Sequence, residues 1–142
     1  MSVTRYFKNG DVVVFIPDQK NHLKVDVKEI APPTLTGTTT VAIGFHPFRM
    51  VIGLEFYNPA SSGDVVAQFD PAIEVSIRYT DQDMSIAKNA GRDLLLGFWD
   101  GKRWLRFTVA KHAFKLEPDK ASGGWGKVKV KDWSDPAKAW GT

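Results

Sequence analysis

The segment WDGKRW places Trp99 and Trp104 on either side of an Asp-Gly pair. Asp100-Gly101 tolerates positive φ and strand-like runs flank it, so the segment predicts a hairpin with a DGKR loop and Trp99 opposite Trp104. Two opposed indoles can do one of two things. They can close the hairpin by packing on each other, a cross-strand contact worth roughly 0.2–1 kcal/mol over Ala–Ala. Alternatively, they can offer a flat stacking platform to a sugar ring or a base. Trp125 is a third candidate for such stacking in a chain that carries five tryptophans.

A second constellation is the run KVKVK. It sets Lys127, Lys129 and Lys131 on one face of a strand, with Val128 and Val130 on the other. Ammonium groups about 7 Å apart along a strand can meet a polyanion. The same lysines also serve as a guard against edge-to-edge aggregation on an exposed strand. Asp70, Asp81, Asp83 and Asp100 stand at expected strand ends and loops, where oxygen donors for a hard cation are found. Asp81-x-Asp83 lacks the glycine and terminal glutamate of an EF-hand loop, and capping or turn formation explains Asp81, Asp83 and Asp100 without a metal. No metal is therefore expected, and these four aspartates are the donors to examine if one binds.

Catalytic chemistry has little to build on. The chain has no cysteine, which removes thiolate nucleophiles, iron–sulfur clusters and disulfides. His22, His46 and His112 share no i,i+2 or i,i+4 spacing. There is no G-x-S-x-G elbow, phosphate loop or dinucleotide fingerprint. The reading is a non-enzyme without a cofactor.

These residues need a frame, and the dominant period is two. Leu23, Val25 and Val27 alternate with Lys24, Asp26 and Lys28. Ile73, Val75, Ile77 and Tyr79 alternate with Glu74, Ser76 and Arg78. Such alternation predicts half-buried strands. Further strand candidates lie near 11–16, 40–45, 50–57, 64–69, 93–99 and 105–110, with Gly, Pro, Asn and Asp signals between them. The expected fold is an all-β antiparallel sandwich over 1–142, with 135–142 as a candidate tail. Its expected core contains Val25, Val27, Ile43, Val75, Ile77, Tyr79, Leu95 and Phe107. One short helical turn is expected near 80–88, because Thr80 and Asp83 form a variant of the capping box.

The 142 residues suffice for one domain with a core. No run of ~18 apolar residues predicts a membrane span, and the opening MSVTRYFKNGD does not read as a signal peptide. The net charge of +3 is uneven. Residues 1–100 carry 9 basic and 12 acidic side chains, and residues 101–142 carry 10 and 4, giving −3 and +6. A basic final third predicts weak, salt-sensitive polyanion binding without specific nucleic-acid recognition.

The segments FDPAIEVSIRYTDQDM, DLLLGFWDGKRW and GKVKVKDWSDPAKAWG occur in this order from Phe69 onward. Over residues 69–140 the pattern resembles bacterial cell-surface β-sandwich modules, akin to the sandwich domain shared by ankyrins, netrin receptors and zonula occludens proteins. The resemblance implies a non-enzymatic module for interaction or assembly. Some relatives of that domain cleave their own backbone at a His-Phe-Ser segment. The matching Asp132-Trp133-Ser134 lacks the histidine, so Ser134 has no local base and an intact chain is expected.

Two functions follow as expectations. The first is a non-catalytic structural or protein-interaction module, one piece of a larger bacterial surface or secreted assembly. The second is a carbohydrate-binding module using exposed tryptophans. The partner is accordingly a protein or a glycan. The setting is extracellular or cell-surface if the chain is a segment of an exported protein, and cytoplasmic otherwise.

Overall fold

Alternating apolar residues can bury one side only when a second layer covers them, and here two antiparallel sheets cover each other. The computed structural model describes residues 2–30, 41–46, 49–99 and 104–132, with the backbone alone for 41–46, 49–50, 99 and 104. The strands are β1 (Val3–Phe7), β2 (Val12–Ile16), β3 (Asp26–Ile30), β4 (Val41–His46), β5 (Arg49–Asn58), β6 (Asp64–Val65) and β7 (Gln68–Tyr79). After the helix α1 (Asp81–Asn89) come β8 (Leu95–Trp99) and β9 (Trp104–Arg106). The short helix α2 (Val109–His112), β10 (Lys115–Pro118) and β11 (Gly124–Asp132) complete the chain order. One sheet has the order β1-β2-β7-β11-β10, and the other β3-β5-β4-β8-β9, with β6 paired to β5. The expected all-β antiparallel sandwich is thus the observed architecture.

The core lies between the sheets. Val12, Val14, Val75, Ile77 and Val128 of the first sheet join Val27, Ile52, Leu54, Phe56, Leu96 and Phe98 of the second in one buried cluster. Ile73, Val75, Ile77 and Tyr79 are all buried, as the period-two reading requires. Ion pairs tie β1 and the hairpin turn after it to β3. Arg5 donates to both oxygens of Asp26 at 3.0 Å, and Lys8 lies 2.9 Å from Glu29. The hairpin turn runs through Asn9 and Gly10, both at positive φ.

The helix after β7 is longer than one turn, at nine residues. Its cap is the one expected. The Thr80 hydroxyl accepts from the Asp83 N–H at 3.1 Å, and the Asp83 carboxylate accepts from the Thr80 N–H at 2.8 Å.

Four expectations are corrected. Leu95 is half-exposed, and Leu94 and Leu96 are buried in its place. In DLLLGFW both parities are apolar, so only contact with the opposite sheet selects one. The strand expected at 105–110 ends at Arg106, because Thr108 caps α2 by accepting from the Lys111 N–H. The strand expected at 64–69 splits, with Asp64–Val65 pairing to β5 and β7 beginning at Gln68. Finally, β11 is not simply an edge strand. It lies between β7 and β10, although β10 flanks only Gly124–Lys127. Lys127 therefore stands inside the sheet, and the anti-aggregation role applies at most to Lys129 and Lys131. Among the other expected core residues, Val25, Val27 and Phe107 are buried, and the Ile43 side chain lies outside the described set.

Candidate functional site

Strand register determines what the outer face of the five-stranded sheet presents. Directly paired residues in an antiparallel sheet share a face. With Val12, Val14 and Ile16 inward, Val13 and Phe15 point outward. One outward row runs Thr4, Phe15, Glu74, Lys129. The next runs Tyr6, Val13, Ser76, Lys127, Lys115. A third holds Arg78, Trp125 and Glu117. One half of this face is thus aromatic and the other charged.

The charged half is largely satisfied from within. The Arg78 guanidinium lies over the Trp125 ring, 4.5 Å from its centroid, and reaches Asp119 at 3.6 Å. That cation covers one face of Trp125, which argues against Trp125 as an open stacking platform. Glu117 sits between two lysines, with Lys115 at 2.9 Å and Lys127 at 3.3 Å. Hydrogen bonds from both lysines hold the Glu117 carboxyl below its ordinary range and raise Lys115. Of the predicted polyanion row, Lys127 is therefore partly neutralised, while Lys129 and Lys131 are exposed.

The aromatic half is different. Tyr6 is 68% exposed and Phe15 40%. No sequence motif marks either residue. The signal that could have found them is VTRYF preceding Asn9-Gly10, which pairs with DVVVFI as a hairpin and turns Tyr6 and Phe15 to the side opposite Val14.

The remaining candidates fall elsewhere. Trp99 pairs directly with Trp104 across β8 and β9, in the register expected from a four-residue loop. Their side chains, and Asp100 with the rest of that loop, lie outside the described residues. Asp70 stands near the start of β7 and Asp81 just past its end, roughly 35 Å apart at strand rise. Asp70 pairs with Lys20 at 3.5 Å, Asp81 accepts from the Gly123 N–H at 2.8 Å, and Asp83 is spent in the helix cap. The three do not converge. Among the described residues no group of three or more His, Asp or Glu is placed to hold a metal.

His112 is a packing residue rather than a surface base. It is buried against Phe98 and Phe107, and its Nδ1 accepts from the Thr108 N–H at 3.0 Å. Burial, with a smaller push from Lys111, lowers its pKa to about 4, so it is neutral at pH 7. Gln19 is a buried polar residue that no motif flagged. It donates to the carbonyls of Pro17 and Pro71 and accepts from the Asp70 N–H, joining the end of β2 to the start of β7.

Among the described residues no helix is long and apolar enough to cross a membrane. No protein-family model, curated protein or solved structure matches this chain.

Proposed function

We propose that this chain is a non-catalytic interaction module that docks a protein partner on the outer face of the β1–β2 hairpin and its neighbour β7. The observation that carries this reading is the exposure of Tyr6 and Phe15, diagonal neighbours in successive rows, on a sheet face whose other half is internally paired. Large aromatic side chains left in water gain most from burial against a partner, and aromatics are enriched at interface centres. Glu74 and Lys129, in the Phe15 row, supply a polar rim. The resemblance of residues 69–140 to bacterial surface modules agrees with an assembly role.

A second reading, a carbohydrate-binding module, is favoured by one observation, the direct pairing of Trp99 with Trp104. One experiment separates the two. A photo-reactive phenylalanine analogue is placed at Tyr6, Phe15, Trp104 or, as a control, the exposed Ile86, and irradiated in the cells that make the chain. The interaction reading expects one discrete, protease-sensitive adduct from Tyr6 and Phe15 that is absent from Ile86. Equal labelling at all positions, or none, would overturn it. A glycosidase-sensitive adduct from Trp104 alone would install the second reading instead.

A further inference from the structure

A different part of the molecule carries a cavity that the proposed docking face does not use. The strands at one flank of the sandwich, β9 and β10, are the ends of different sheets, and α2 crosses from one to the other. Between them and α1 opens a cavity of about 500 Å³. That size falls within the range of small-molecule pockets. Its lining divides by chemistry. Leu94, Phe107, Phe114 and Leu116 give it an apolar floor. Leu94 and Phe107 belong to the sandwich core, and Phe114 and Leu116 pack against that core. The cavity thus borders the core at this flank.

The rim is cationic. Lys88 from the last turn of α1, Arg92 just beyond it and Arg106 at the end of β9 all line the opening, against one carboxylate, Asp93. Arg106 pairs across the ladder with Gly97, so no neighbouring side chain of β8 stands beside it in that row. Val109 also lines the cavity and is 73% exposed, the most exposed of the large apolar side chains described. An apolar floor, an exposed apolar lip and a rim that carries Lys88 and Arg106 fit one kind of occupant. It has an apolar body that fills the floor and a single anionic head held by the rim.

We propose that this flank cavity binds small amphiphilic anions, with the apolar body over Phe107, Phe114 and Leu116 and the head group at Lys88 and Arg106. Burial of the body supplies the affinity and the rim supplies selectivity for negative charge. Carboxylate and phosphate heads share this chemistry, and both are tested.

The full chain is titrated calorimetrically with dodecanoate, dodecyl phosphate, dodecanol and dodecylammonium, all below micellar concentration. Methyl NMR spectra locate the bound probe. Saturable binding of at least one anion is expected, tighter than dodecanol and much tighter than dodecylammonium, with shifts at the methyls of Met84, Leu95, Val109 and Leu116. Whichever anion binds tighter identifies the head group. The double variant Lys88→Gln with Arg106→Gln should weaken anion binding by about tenfold and leave dodecanol unchanged. Both side chains are exposed, so its melting temperature should match the wild type. Val109→Asp, which puts a carboxylate at the lip, is a second variant that should weaken the anions selectively. Absence of saturable binding, equal affinity for dodecanol, shifts confined to the face around Tyr6 and Phe15, or anion affinity untouched in both variants would each overturn the proposal. The readouts are independent of the cross-linking outcome.

Discussion

The two halves of one sheet face use their outward side chains in opposite ways. On β7, β11 and β10 the neighbours complete each other: Arg78 covers Trp125, and Glu117 joins Lys115 to Lys127. On β1 and β2 the outward Tyr6 stands largely in water and Phe15 is also exposed. The backbone ladder is continuous through both halves, so hydrogen bonding does not explain the contrast. Side-chain complementarity across the strands does. A face that satisfies its own charges gains little from a partner, whereas a face that leaves aromatic surface exposed gains by being covered.

Four substitutions test this contrast. The largest effect is expected from Ile77→Ala. Ile77 is fully buried on β7, between the two halves, and pairs with Val12 on one side and Gly126 on the other. Its truncation should cost roughly 2–5 kcal/mol in denaturant melts, because the cavity lies beneath both halves. An undiminished midpoint would mean that the sheet does not rest on this residue.

A smaller and one-sided effect is expected from surface aromatics. Trp125→Ala removes the ring under Arg78 and should cost about 1 kcal/mol. Tyr6→Ser removes a side chain that stands in water and should stay within about 0.5 kcal/mol of wild type. Paired thermal melts check this difference. Equal losses at the two positions would erase the distinction between a self-satisfied and an open half.

The smallest effect concerns Glu117. Its carboxyl is held below the ordinary range by Lys115 and Lys127, so its small contribution is present at neutral pH and fades as pH falls through the lowered value. A carbon-detected titration should find its midpoint below that of an ordinary exposed glutamate. Glu117→Gln frees both lysines, so heparin retention should rise slightly at low salt and the gain should vanish at high salt. Unchanged retention would show that Glu117 does not neutralise the lysine row.

Local rules carried well where the interaction spans few residues. The capping box was legible because Thr80 and Asp83 lie three positions apart. The Trp99–Trp104 pairing was legible because a short loop sets register. The inward set of β7 was legible because polar residues occupy the other parity. Leu95 misled because Leu94 and Leu96 are equally apolar. The helix after Thr108 was hidden by apolar residues that suit a strand as well. Gln19 gave no signal, because its three partners lie on Pro17, Asp70 and Pro71, most of them some fifty positions away.

The amino-acid order alone therefore determined the all-β class, the inward faces of its most regular strands and the start of α1. Each follows from steric and hydrogen-bonding preferences acting over a few residues. Only the tertiary structure decided which strands flank one another, and so whether an outward side chain meets a partner or water. Arg78 reaches Trp125 because β7 pairs with β11, and the flank cavity exists because α1, β9, α2 and β10 converge on it. Such neighbours are chosen by burial of the whole core, which no short window of sequence contains.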